Sequence, residues 1–110
     1  MPKCKITVIK KMLNPDIIEQ YSDFGPKHPP CPVFEEGQVF VSGMDMPEGF
    51  CSWAWDDIHK LVFAVLADGD FRAIVPNAGK NNKQCIACCT DGYRPVIFLL
   101  EPFCEDAPAS

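Results

Sequence analysis

Gln84 to Glu101 reads QCIACCTDGYRPVIFLLE, and the pairing of this stretch with itself decides how the chain is built. Asp91-Gly92 is a residue pair favoured by two-residue type I′ hairpin turns, because both central positions need positive φ. The flanking segments, Ile86 to Thr90 and Tyr93 to Leu100, then pair as antiparallel strands. A two-residue loop fixes their register: Thr90 faces Tyr93, Cys89 faces Arg94, Cys88 faces Pro95 and Ile86 faces Ile97. Successive side chains point to opposite faces of a strand, so Cys88 and Cys89 diverge. Cys89 shares a face with Arg94, and a guanidinium beside a thiol favours the thiolate. The same cysteines also suit a core, since free cysteine is among the most buried residue types.

The rest of the chain sets bounds. Its 110 residues and 47% apolar content fit one globular domain over residues 1–103 with a flexible tail, 104–110. A net charge of −5 leaves no basic stripe to neutralise phosphates, so nucleic acid is not an expected partner. The longest apolar run, Leu61 to Ala67, is far too short to span a bilayer, and no membrane partner is expected. The opening MPKCKITVIKKM lacks the apolar region of a secretory signal, which places the protein in the cytoplasm. Seven cysteines, an odd number, in a reducing compartment argue against a disulfide framework and for thiol chemistry, metal binding or core packing.

CKITVIK, Cys4 to Lys10, alternates as a first strand with Cys4, Ile6 and Val8 on one face. Asn14-Pro15 starts a short helix, Asn14 capping it, with Ile17, Ile18 and Tyr21 apolar; it ends near Asp23 to Gly25. Four prolines in GPKHPPCP, 25–32, make a stiff loop that presents Cys31 and leaves His28 to solvent. After a turn at Glu35 to Gly37, Gln38 to Ser42 forms a second strand. A long helix starts at Cys51 or Ser52, with Ser52 suited to cap it, and runs to about Ala67, closed by Asp68-Gly69. Trp55, Ile58, Val62, Val65 and Leu66 share its apolar face, broadened by Trp53, Leu61 and Ala64. Cys51 lies at its N-terminus, where the dipole favours a thiolate. Asp70 to Lys83 is irregular, ending in the turn-forming PNAGKNNK. The expected architecture is α+β: a small, mostly antiparallel four-stranded sheet covered on one face by two helices, with a C-terminal β-hairpin whose last strand is central or covered by a second copy.

Four segments, CKITVIKK, CPVFEEGQVF, MPEGFCSWAW and IACCTDGYRPVIF, resemble, in order, those of a family of small uncharacterised cytosolic proteins of about this length. The family's motifs are CPVFEEG, PEGFCSWAW followed by one residue and an Asp, and ACCTDG-x-RPV. They fall here on Cys31, Glu36, Gly37, Glu48, Cys51, Trp53, Trp55, Asp57, Cys88, Cys89, Asp91, Gly92 and Arg94. Cys4 lies in a matching opening segment, whereas Cys85 and Cys104 fall outside the motifs. The resemblance supports the fold and the choice of site residues; the family has no settled activity, so it leaves the reaction open.

Three functions are weighed. The first is a small-molecule enzyme or binding protein with a cysteine-lined pocket. In it Cys51, Cys89, Arg94, Asp57 and Glu48 carry the chemistry, and Cys31, Trp53, Trp55, Cys88 and Tyr93 contact the ligand. Arg94 would hold an anionic group by a bidentate pair, and Asp57 or Glu48 would move a proton or orient a thiol. No nucleotide loop or Ser-based motif is present, so a lyase, isomerase or cyclase working by general acid–base or thiol-assisted chemistry, without a cofactor, fits best. The second is a zinc, copper or iron site built from Cys31, Cys51 and Cys88 or Cys89, completed by His28, His59 or a carboxylate. The third is a non-catalytic homo-oligomeric interaction module.

Overall fold

A computed structural model describes residues 2–24, 28–73 and 75–103. The elements are β1 (Lys3–Lys11), α1 (Pro15–Tyr21), β2 (Val39–Ser42), α2 (Ser52–Leu66), a 3-10 turn (Phe71–Ala73), β3 (Cys85–Cys88) and β4 (Val96–Phe103). They build an α+β fold on one antiparallel sheet of order β2-β1-β4-β3. The C-terminal strand is therefore central, bonded to β1 on one side and β3 on the other. Its position explains why Val96 to Leu100 is apolar without interruption.

Period-two alternation puts Cys4, Ile6 and Val8 of β1, Val96, Phe98 and Leu100 of β4, and Cys85 and Ala87 of β3 on one buried face. α2 crosses that face and buries Ala54, Ile58, Val62 and Val65 against it. These four recur at helical spacing, but the stripe is rotated from the expected one: Ala54 replaces Trp53, whose side chain is 72% exposed. Trp55 is half-buried, its ring edge-on to Phe50. Phe34, Phe40, Phe50 and Phe98 pack edge-to-face or tilted at centroid distances of 4.9 to 5.9 Å, sealing the end of the sheet. The opposite sheet face carries Val39, Val41 and Ile86, all exposed, beside half-buried Ile97 and Leu99.

Both helix ends depart in detail from the expected caps. Cys51, not Ser52, is the N-cap of α2. Asn14 caps α1 without a side-chain bond, and its amide N–H donates to the Gly92 carbonyl at 2.7 Å. α1 ends at Tyr21 and buries only Ile18; Ile17 and Tyr21 are exposed. Asp68, at φ 59°, closes α2 as expected, with the Gly69 N–H donating to the Ala64 carbonyl.

The hairpin is where the sequence misleads most. β3 and β4 pair as Cys88↔Ile97, Ala87↔Phe98 and Ile86↔Leu99. The register is two residues away from that of a two-residue loop, and the connection from Cys89 to Pro95 is wide. Neither Asp91 nor Gly92 has positive φ. Asp91 is used through its side chain instead: Oδ1 accepts from the backbone N–H of Tyr93 (2.9 Å) and Arg94 (3.1 Å), an Asx-type arrangement. The loop carbonyls of Tyr93 and Pro95 accept from the backbone of Asn14 and Met12. An even shift preserves the faces, so Cys88 and Cys89 still diverge.

Candidate functional site

Three separate segments meet at one cleft of about 310 Å³. The proline-rich loop supplies Cys31, Val33 and Phe34. The start of α2 supplies Cys51, Trp53 and Ala54. The β3–β4 connection supplies Cys89, Thr90, Asp91 and Arg94. Prolines 29, 30 and 32 restrict the first segment, and Phe34, only 1% exposed, anchors its end in the aromatic cluster. The third segment is tied to the second by Asp57, whose Oδ2 accepts the Thr90 N–H at 2.7 Å. Cys31, Cys51 and Cys89 are all half-buried free thiols resting on the core.

Arg94 is oriented by Asp91, Nε to Oδ2 at 3.1 Å. Its terminal amino groups meet no protein acceptor among the described residues. Asp91 is held below the ordinary carboxyl value: burial alone would raise it, but the N–H groups of Arg94 and Tyr93 and the guanidinium outweigh that cost. A depressed carboxyl contributes stability that is complete above its unfolded value of 3.8 and is lost as pH falls toward the folded one. The stability gap between wild type and Asp91→Asn in urea is therefore expected to be widest at neutral pH and to narrow below 3.8. A gap independent of pH would contradict this.

Cys89 has the most developed surroundings of the three thiols. Its N–H donates to the Val96 carbonyl at 3.1 Å, and the Val96 N–H donates to Cys89 Sγ at 3.3 Å. Its neighbour Cys88 is exposed, and its thiol donates to the Cys89 carbonyl. Burial, with the charges of Cys89 and Asp57, raises the Cys88 thiol above its ordinary value. Cys4 and Cys85 lie in the core, pushed up by burial to about 12 and about 11. They pack and stay neutral at physiological pH.

Of the residues expected at the site, Cys31, Cys51, Trp53, Cys89 and Arg94 line the cleft, and Glu48, Trp55, Asp57, Cys88 and Tyr93 do not. Glu48 sits exposed in the turn before α2. Trp55 stacks on His59 of its own helix at 6.0 Å. Asp57 holds a backbone N–H rather than facing the cleft, and Tyr93 turns toward His28 and the Tyr21 carbonyl. His28 is half-buried against Phe24 rather than open to solvent. Val33, Phe34, Ala54, Thr90 and Asp91 complete the lining; the Asp-x-x-Arg spacing of Asp91 and Arg94 was the legible sign of their pairing. A more open recess of about 730 Å³ between Lys3, Met44, Asp45, Phe63 and Leu66 contains no thiol.

The metal set does not assemble. Cys88 points away from Cys31 and Cys51, and among the described residues no group of three or more His, Cys, Asp or Glu is placed to hold an ion. The alternative with Cys89, which lines the cleft with Cys31 and Cys51, in place of Cys88 does not form such a group either. Cys104 lies outside the described residues. No helix among the described residues is long and apolar enough to cross a membrane. No protein-family model, curated protein or solved structure matches the chain. The resemblance to small cytosolic proteins therefore rests on the four segments alone.

Proposed function

We propose that the cleft binds a small organic carboxylate and that the protein acts on it as a lyase, isomerase or cyclase, without a cofactor. The observation that carries this reading is the meeting of Cys31, Cys51, Cys89 and Arg94, from distant parts of the sequence, around one cavity. A carboxylate on the free fork of Arg94 makes a charge-assisted bidentate pair. Val33, Phe34 and Ala54 form an apolar bed for the remainder of the molecule, the usual make-up of a small-ligand pocket. Thiols at the walls are the groups able to add to the ligand or move a proton on it. Asp57 is a positioning residue in this scheme: it fixes Thr90, and with it the wall that carries Asp91 and Arg94.

Benzoate and its uncharged counterpart benzamide test the binding. Benzoate is expected to shift the amide resonances of Ala54, Thr90, Asp91 and Arg94 in a saturable way, and benzamide to leave them in place. Equal responses to both compounds, or responses only near Lys3 and Phe63, would overturn the reading.

The exposed outer face of the sheet favours a second reading, self-association. Val39, Val41, Ile86, Ile97 and Leu99 lie on it, where a solvated antiparallel face would normally be polar. Sedimentation is expected to show a concentration-dependent dimer that Val41→Lys with Ile86→Lys reduces to monomer. A monomer at all concentrations would remove this reading.

A further inference from the structure

We infer that Cys89 adds reversibly to small α,β-unsaturated carboxylates held by Arg94, an inference that rests on the carboxylate-binding reading of the cleft. Two features single out Cys89. Its sulfur is the one cleft thiol that accepts a backbone hydrogen bond among the described residues, from Val96 N–H at 3.3 Å. That donor holds the sulfur in place. Arg94 stands on the same connection and lines the same cleft, with Asp91 pinning its Nε and leaving its outer fork open.

The cavity also sets the size and character of the acceptor. At about 310 Å³ it has room for a molecule of the order of ten heavy atoms, taking a water's share of liquid volume as roughly 30 Å³. Phe34 and Ala54 are buried and Val33 is exposed, so the buried part of the lining is apolar where a carbon–carbon double bond would lie. The anionic end is oriented by a planar fork, which positions the β-carbon toward a wall rather than letting the ligand tumble.

The step balances without a further reactant. The Cys89 sulfur forms a bond to the β-carbon, and the π pair of the double bond moves onto the α-carbon. There it takes the proton that the thiol releases, carried across by water. Nothing is oxidised or reduced. The reverse elimination restores the thiol and the alkene, so the chemistry belongs to the lyase and isomerase class already proposed.

Acrylate and acrylamide differ in charge and little in shape, and Cys88 provides an internal reference because it is exposed on the other face. The protein is incubated with each compound, and adducts at Cys88 and Cys89 are quantified by peptide mass spectrometry. The acrylate-to-acrylamide rate ratio at Cys89 is expected to exceed that at Cys88 by about tenfold or more, the scale of a hydrogen-bonded charge pair. Arg94→Gln is expected to bring the two ratios to within about twofold. High salt is expected to shrink the difference in the unmutated protein, a readout independent of how the variant folds. Equal ratios at the two cysteines, or a Cys89 preference unchanged by both Arg94→Gln and salt, would overturn the inference. Benzoate titration of the same sample separates the two levels. Binding of benzoate without a Cys89 preference defeats the addition step alone; absence of benzoate binding defeats the carboxylate site with it.

Discussion

Arg94→Gln is expected to weaken the proposed benzoate binding by about 10- to 100-fold, the effect of removing hydrogen bonds to a charged group. Two contributions act in the same direction. The fork that receives the carboxylate is lost, and Asp91, whose Oδ2 is bound to Arg94 Nε at 3.1 Å, is left as an uncompensated negative charge beside the ligand. About a third of the Arg94 side chain is exposed, so solvent screening places the loss toward the lower end of that range. Calorimetric titration checks it, with Arg72→Gln as the reference. Arg72 donates to the Gly79 carbonyl, outside the cleft lining, so its replacement leaves benzoate affinity unchanged. Equal losses for the two variants would point to general charge rather than to a site.

Phe34→Ala lowers folding stability by about 3–5 kcal/mol, the usual range for emptying an aromatic side chain from a core. Phe34 is 1% exposed and meets Phe40, Phe50 and Phe98 at 5.9, 5.0 and 5.2 Å. Phe50 and Phe98 beside it are themselves 7% and 0% exposed and packed on one another, which favours the upper part of the range. Against a total of about 5–15 kcal/mol for a domain, such a loss removes much of the native margin. With a urea dependence of about 1–3 kcal/mol per molar, the midpoint falls by about 2 M. Met44→Ala, at a side chain 65% exposed, is expected to change stability by no more than about 0.5 kcal/mol. Phe34 also lines the cleft, so any residual folded Phe34→Ala protein has an enlarged site.

The sheet and the long helix were legible because periodicity is a local signal that burial reinforces. Cys4, Ile6 and Val8 alternate, and all three are 0% exposed. Ile58, Val62 and Val65 recur on one side of α2 and are buried as expected. The start of α2 departs from the expected phase: a large aromatic side chain reads as core, yet Ala54 is 1% exposed and Trp53 72%. The turn departs from its local signal for a related reason. Asp91-Gly92 is a strong local hairpin signal, but Asp91 binds two backbone N–H groups and a guanidinium, and those bonds hold a wider loop. Local preference yielded to a network that includes Asp57 and Asn14, remote in sequence.

The site was half-legible for the same cause. Cysteine and arginine announce their chemistry by type, so Cys31, Cys51, Cys89 and Arg94 could be named before their positions were known. Cys88 and Trp55 announce chemistry equally well, and only the strand and helix phases turn them away. Glu48 and Asp57 show the limit from the other side: a carboxylate near a motif carries no sign of whether it faces a cavity, solvent or a backbone N–H.

Protection of cysteines by benzoate tests the central claim most directly, that three distant thiols and Arg94 enclose one carboxylate site. The native protein is treated briefly with iodoacetamide with and without saturating benzoate, and modification is quantified at each cysteine. Benzoate is expected to slow labelling of Cys31, Cys51 and Cys89 together and to leave Cys88 unaffected. Uniform labelling, or protection that includes Cys88 and omits Cys31 or Cys51, would contradict a shared site.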